Sequence, residues 1–289
     1  TEMMNRKFAP TVLFLFLTTT LFAQWTKGKD KGYYKLSAWS VIADKHYTDT
    51  GEIDQNPTRG TFNFSFYGEH GLSKKLDLIA YIPFFTRTYQ NNVVSKTRGN
   101  IITEGASLDA VGDIDIGLRY GLLKKNSLAL STTLKLGFPT GKTSGGNEFA
   151  ILQTGDGEFN QLLQVDFGAS FKVKNIPAYG KTFAGYNHRS KGFSDEILFG
   201  GEIGFLFFKK LWVTGKLNVL KSTKNGSINT FTANGSLFAN NIEYSNVGLQ
   251  AAYTIYKEIG VSYEYGSAID GRIIAAAPSH SVGVFININ

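Results

Sequence analysis

The chain has 289 residues and a formal charge of +7, with no Cys, 32 Gly against 6 Pro, and 23 Phe with 14 Tyr. Absence of Cys excludes disulfides and thiolate chemistry and agrees with export to an oxidising compartment. The positive charge is spread along the chain without a basic patch interleaved with aromatics, which argues against a nucleic-acid partner, and no Pro-rich, Ser-rich or single-charge linker divides the chain.

The amino terminus comes first. Met4-Asn5-Arg6-Lys7 is a short basic segment, Val12 to Phe22 is an apolar run, and Leu21-Phe22-Ala23 closes it with a small residue before Gln24. This predicts a signal peptide over 1–23 with cleavage after Ala23, Thr1 to Met3 preceding the true start, and one domain over 24–289. The run is too short to cross a bilayer as a helix, and no later stretch is long and apolar enough either.

From there the apolar residues recur with a period of two, which is the signature of strands whose side chains alternate between faces. Twelve strands are predicted, at 32–43, 59–70, 75–88, 111–123, 127–139, 158–173, 178–189, 195–208, 211–222, 242–256, 258–267 and 279–289. The pattern is cleanest in VGDIDIGLRYGLLKKNSLALSTTLKLGFPTGK, residues 111–142. There Ile114, Ile116, Leu118, Tyr120 and Leu122 share one face, and Asp113, Asp115, Gly117, Arg119 and Gly121 share the other. A turn at Lys124-Lys125-Asn126 leads into Leu128, Leu130, Leu134, Leu136 and Phe138.

The connections alternate in length. Gly71 to Lys74, Lys124 to Asn126, Lys174 to Pro177, Lys209-Lys210 and Lys257 read as tight turns. His46 to Thr58, Tyr89 to Ala110, Thr140 to Gly157, Thr223 to Asn241 and Ser267 to Pro278 read as long loops, and Ser190 to Ser194 is a short exception. All tight turns thus fall on one side of the sheet and the long loops on the other, the arrangement of an outer-membrane barrel with short periplasmic turns and long extracellular loops. The paired lysines at the turns read as solvated turn residues.

Charge segregates between the faces in the way this reading demands. Phe62, Phe64, Phe66, Leu78, Ile82, Phe84, Phe167, Phe171, Val173, Ile197, Phe199, Ile203, Phe205 and Phe207 form an almost uncharged set for lipid. Lys35, Glu69, Asp77, Asp113, Asp115, Arg119, Lys135, Asp166, Lys172, Glu202, Lys216 and Glu264 fall on the opposite face and are expected to line the lumen. A Lys or Arg facing lipid at mid-depth would cost roughly 2–4 kcal/mol. A bilayer offers no water to unpaired backbone groups, so only a closed sheet can cross it. The expected fold is therefore an all-β, transmembrane, antiparallel up-and-down β-barrel of about twelve strands.

Aromatics also gather toward strand ends, with Phe84, Phe85, Tyr89, Phe138, Tyr263 and Tyr265 on the loop side and Tyr120, Phe207, Phe208, Tyr253 and Tyr256 on the turn side. Two interfacial girdles are expected. The last predicted strand reaches Asn289, where such barrels usually carry an aromatic.

Three motifs point elsewhere and fall short. Gly137 to Thr143 resembles a phosphate-binding loop, but that pattern requires Gly at 136, where Leu stands, and no helix follows. Asp156-Gly157-Glu158-Phe159-Asn160 has oxygen ligands at calcium-loop spacing without the loop's Gly or its closing Glu. Of His46, His70, His188 and His280, only His188 has Ser190 and Asp195 near in sequence, and no local motif marks a nucleophile. No metal site, cofactor or catalytic residue is assigned, and an enzyme is not expected.

Val111 to Tyr120, Leu136 to Gly141 and Thr154-Gly155-Asp156-Gly157 together resemble the outer-membrane family named for the meta-pathway of phenol degradation (MetA-like). Gly71 to Leu78 and Ile82-Pro83-Phe84 resemble that family's preceding hairpin, and the likeness runs from roughly residue 60 to the end, with its specificity in 71–170. Phe22-Ala23-Gln24 is similar to the signal-peptide ends of Bacteroidetes. The resemblance implies a porin-like outer-membrane barrel related to channels for hydrophobic compounds. The leading expectation is a passive or facilitated channel for small, aromatic or apolar solutes, in the outer membrane of a Gram-negative bacterium. Its partners would be outer-membrane lipid, the solute and the outer-membrane assembly machinery, with no nucleic acid and the oligomeric state open. A plugged barrel with a structural or surface-binding role is the alternative, and an outer-membrane hydrolase ranks behind it.

Overall fold

The computed structural model describes residues 26–146, 148, 150–228 and 236–289, so the signal peptide expected over 1–23 lies outside the described residues. Fifteen strands follow in order: β1 (Gly32–Tyr47), β2 (Ile53–Gly71), β3 (Leu76–Gln90), β4 (Val93–Val94), β5 (Ile101–Thr103), β6 (Ala106–Ala110), β7 (Ile114–Lys125), β8 (Leu128–Phe138), β9 (Asn160–Val173), β10 (Ile176–Arg189), β11 (Glu196–Phe207), β12 (Leu211–Ser222), β13 (Glu243–Tyr256), β14 (Ile259–Arg272) and β15 (Ser279–Ile288). Twelve of them, β1 to β3 and β7 to β15, pair antiparallel in sequence order to form the wall. β1 pairs with β2 on one side and with β15 on the other, so the sheet closes into a barrel without a free edge. No helix among the described residues is long and apolar enough to cross a membrane.

The alternation in the sequence becomes the two surfaces of the wall. Leu36, Phe64, Leu118, Leu134, Phe167, Phe199, Leu249 and Val284 are exposed on the outside, as lipid-facing residues must be when no lipid is present. Tight turns join β2–β3, β7–β8, β9–β10, β11–β12 and β13–β14 at one end of the barrel. All but the β2–β3 turn have tips in the left-handed conformation that such hairpins require, at Asn126, Lys174, Phe208, Lys209 and Lys257. The turn after β11 is centred on Phe208-Lys209, closed by the Lys210 N–H to the Phe207 carbonyl, one residue earlier than the Lys209-Lys210 turn expected.

Several elements depart from the sequence-based expectation: the eleventh predicted strand runs on from 267 to Arg272, so the loop expected over Ser267 to Pro278 shrinks to residues 273–278. The first two strands are longer than predicted, and the loop expected over His46 to Thr58 shrinks to residues 48–52 because Lys45, His46 and Tyr47 pair with Gln55, Asp54 and Ile53. The loop expected over Tyr89 to Ala110 contains the β4–β5 hairpin and β6, which pairs with the end of β3. The fourth predicted strand begins at Ile114 rather than 111: opposite it stands Pro83, which has no N–H to give, and only the Gly112 N–H reaches the Pro83 carbonyl. The ladder of β3 with β7 stops at Tyr81–Asp115 and resumes with β6 at Thr86–Ala110.

Candidate functional site

Inside the wall, charged side chains of successive strands meet in opposite-sign pairs. Arg119 on β7 holds Glu69 on β2 at 3.1 Å and approaches Asp77 on β3 at 3.7 Å. Arg119 also feels the charge of Asp166 on β9, whose Oδ1 lies 3.3 Å from Lys181 Nζ on β10. Lys181 stands directly opposite Glu202 on β11, and Glu202 directly opposite Lys216 on β12. Lys216 Nζ reaches Glu264 on β14 at 2.8 Å, and Lys35 on β1 is coupled electrostatically to Glu264. Tyr67, the register partner of Lys35, donates its hydroxyl to Glu69 at 2.5 Å, which returns the circuit to its start. Glu69, Arg119, Asp166, Lys181, Glu202, Lys216, Glu264 and Lys35 therefore alternate in sign around the interior.

Two glycines let this girdle cross intervening strands. Gly248 of β13 lies between Lys216 and Glu264, and Gly283 of β15 lies where an added Cβ would collide with the Lys35 side chain. Aromatic rings stand alongside: Tyr33 is 6.2 Å from Tyr67 and 5.7 Å from Phe285, and Tyr179 is 5.3 Å from Trp212. On the turn side the residues ahead of β1 fold back inside. The Lys27 N–H donates to both carboxylate oxygens of the fully buried Asp77 at 3.0 Å, while Lys27 Nζ pairs with Glu69 at 3.1 Å.

At the loop end, the residues that carried the family resemblance build a clasp. Asp113 accepts the Gly141 N–H on Oδ1 and the Asp156 N–H on Oδ2, each at 2.8 Å. Thr140 donates to the Gly112 carbonyl, and the fully buried Thr154 donates to the Val111 carbonyl while accepting the Lys142 N–H. The backbone N–H groups that suggested phosphate binding are thus used to hold residues 140–142 and 154–156 on the loop before β7. Burial pushes the Asp113 carboxyl up to about 6; the two N–H donors oppose the rise, and the nearby Asp156 and Asp115 add to it. Asp156, first in the calcium-like spacing, accepts from Arg189 at 2.7 Å and from Asn160.

This clasp and the described parts of the loop before β13, residues 223–228 and 236–242, meet over the loop end of the interior. Ser236 donates to Gln153, Asn240 accepts the Ser194 N–H and donates to the Ile228 carbonyl, and Leu152 and Ala239 are buried. Beneath Leu237 and Phe238 lies a cavity of about 240 Å³. Its lining combines polar Asp115, Lys135, Asp156, Asn160, Asn187, Arg189 and Glu196 with apolar Leu162, Leu198, Leu220, Leu237, Phe238 and Ile242. The charges pair here too: Lys135 with Asp115 at 2.8 Å, and Arg189 with Asp156 at 2.7 Å and Glu196 at 2.9 Å. Buried Arg189 Nε has no hydrogen-bond partner.

Of the twelve residues expected along the lumen, Lys35, Glu69, Asp77, Arg119, Asp166, Glu202, Lys216 and Glu264 fall in or against the girdle, and Asp115 with Lys135 fall at the cavity. Asp113 sits in the clasp instead of on β7, because Pro83 ends the ladder there. Lys172 shares the inward register but is exposed beside the turn after β9. Sequence reading missed Lys181 and Arg189, both inward on β10, the strand whose small and polar residues blur the alternation. His188 does meet Asp195, with Nδ1 3.0 Å from Oδ1, whereas Ser190 donates to the Phe159 carbonyl. Burial opposes the Asp195 charge, but donors from Tyr186, Asn225, the Arg189 N–H and His188 outweigh it and hold the carboxyl well below the usual range.

No known family model matches the chain, and no curated protein matches it. Among solved structures it is similar to an outer membrane channel from Pseudomonas putida F1, at 12% identity and a TM-score of 0.60 over 93% of this chain and 100% of that one. It is also similar to the KdgM porin, at 10% identity and a TM-score of 0.47 over 89% of this chain and 99% of that one. For the NanC porin the values are 5% identity and a TM-score of 0.47 over 89% and 99%. The first likeness shows the fold, a closed barrel of the outer-membrane type.

Proposed function

We propose that the protein is a passive or facilitated channel for small solutes in the outer membrane of a Gram-negative bacterium, with its turns in the periplasm and its loops outside. The observation that carries this reading is the cavity beneath Leu237 and Phe238, whose lining is both polar and apolar and which lies at the loop end of a polar interior. A solute with both characters can leave water there without losing hydrogen bonds. The resemblance to hydrophobic-compound channels and the likeness to the Pseudomonas putida channel support the same reading.

A second reading has its own observation. Asp77 and Ser131 are wholly buried and Asp166 is only 2% exposed, so inward side chains pack against one another and against the segment ahead of β1, as in a plugged, structural or surface-binding barrel. Single-channel recording of the refolded protein in a planar bilayer separates the two. Small discrete steps that grow in Leu237→Ser/Phe238→Ser support the channel; silence from both proteins, each folded by heat-modifiability on gels, supports the plug.

A further inference from the structure

We propose that the alternating girdle is a neutrality filter, which holds back small ions of either sign and leaves uncharged, hydrogen-bonding molecules as the solutes. This inference rests on the channel reading and names its substrate class.

The argument starts from what an ion needs. Shedding water in a narrow passage costs several kcal/mol for a carboxylate- or ammonium-sized ion, and a pore recovers that cost with a ring of one sign. Here each charge already has opposite neighbours: Lys216 with Glu264 at 2.8 Å, Arg119 with Glu69 at 3.1 Å, Lys181 with Asp166 at 3.3 Å. Fields of alternating sign around a closed ring cancel toward its centre, so neither a cation nor an anion finds compensation there. An uncharged solute sheds water at far lower cost. It meets ammonium and guanidinium donors in turn with carboxylate acceptors, and flat aromatic faces at Tyr33 and Trp212. The cavity above repeats the pattern, since Lys135 and Arg189 are both engaged by carboxylates.

Glu202 carries the sharpest consequence, because it stands opposite both Lys181 and Lys216. Glu202→Gln leaves the ring with one positive charge in excess, Lys181→Met leaves it with one negative charge in excess, and the double variant restores the balance. The experiment is the reversal potential of the refolded protein in a potassium chloride gradient, paired with liposome swelling in erythritol and in the potassium salt of its four-carbon acid. The unaltered protein should show a cation-to-anion permeability ratio within about twofold of one and admit erythritol at least about tenfold faster than the acid. Glu202→Gln should shift the ratio about fivefold toward anions, Lys181→Met about fivefold toward cations, and the double variant should return near one. Strong selectivity in the unaltered protein, an unmoved ratio in both single variants, or equal swelling in the two solutes overturns the filter while the channel stands. Silence in both assays removes the channel and the filter with it.

Discussion

Lys216 Nζ stands 2.8 Å from Glu264 Oε2 across the full width of β13, above the one residue in the gap, Gly248. A Cβ at Gly248 would meet nothing closer than 3.4 Å, so Gly248→Ala should be close to neutral. The γ-methyls of Gly248→Val would enter the space between the two side chains. The expected loss is about 1 kcal/mol or less, since the pair is only partly screened from water. The urea midpoint of vesicle-refolded protein, followed by Trp fluorescence, reads the difference.

Arg119 is engaged by two carboxylates, Glu69 at 3.1 Å and the fully buried Asp77 at 3.7 Å. Arg119→Met leaves Glu69 with Lys27 and Tyr67 and leaves Asp77 with the Lys27 N–H, so the cost should fall below the roughly 3–5 kcal/mol of a buried charge left without any partner. Adding Glu69→Gln should recover part of the loss. If the double variant is no more stable than the single one in the same unfolding experiment, the coupling inferred here is wrong.

Asp113 gives the clasp a pH dependence of definite sign. Its carboxyl titrates near 6 in the folded loop against an ordinary value of 3.8, so the folded form binds the proton more tightly. Its contribution is therefore fully favourable below pH 3.8 and is lost as pH rises through about 6. Asp156 and Asp115 face it from the loop and from β7, and both add to the rise. Hydrogen exchange at the Gly141 and Asp156 amides should slow, after correction for intrinsic rates, as pH falls from 7 to 5. Asp113→Asn should abolish that change.

The same clasp depends on two glycines. A Cβ on Gly155 would collide with the Asp113 carboxylate, and one on Gly141 would lie 2.7 Å from the Gly155 Cα. Gly155→Ala must therefore open the loop over 139–159, at a cost of about 1–3 kcal/mol. Lys142, whose N–H is held by Thr154, becomes the natural point of attack. Trypsin should cut after Lys142 in Gly155→Ala vesicles much faster than in the unaltered protein; equal rates would show that the clasp does not hold the loop.

Much of this was legible in the sequence because the wall obeys one short-range rule. Ile114 to Leu122 and Leu128 to Phe138 alternate regularly, and a period of two assigns every side chain on such a strand to a face, which is why the girdle positions other than Lys181 were among those expected to point inward. Pairing across strands is another matter. Lys181 escaped notice since the outward face of β10 carries Gly180, Thr182 and Ala184 in place of a continuous apolar row. The displacement of Asp113 from the strand comes from Pro83, some thirty residues earlier, whose missing N–H matters only once the two segments lie side by side. The cavity roof is a meeting of Gln153 with Ser236 that no local pattern encodes.

The closure of β1 on β15 also sets the order of events in assembly. Gly32 to Val41 must find Ile288 to Ser279, partners separated by nearly the whole chain, and such distant contacts are the slowest to form. Until they do, the sheet has two raw edges whose N–H and C=O groups lipid cannot satisfy. The last seam joined is the one that makes the other eleven tenable in a bilayer, so an outer-membrane helper that shields those edges would act on time more than on final stability.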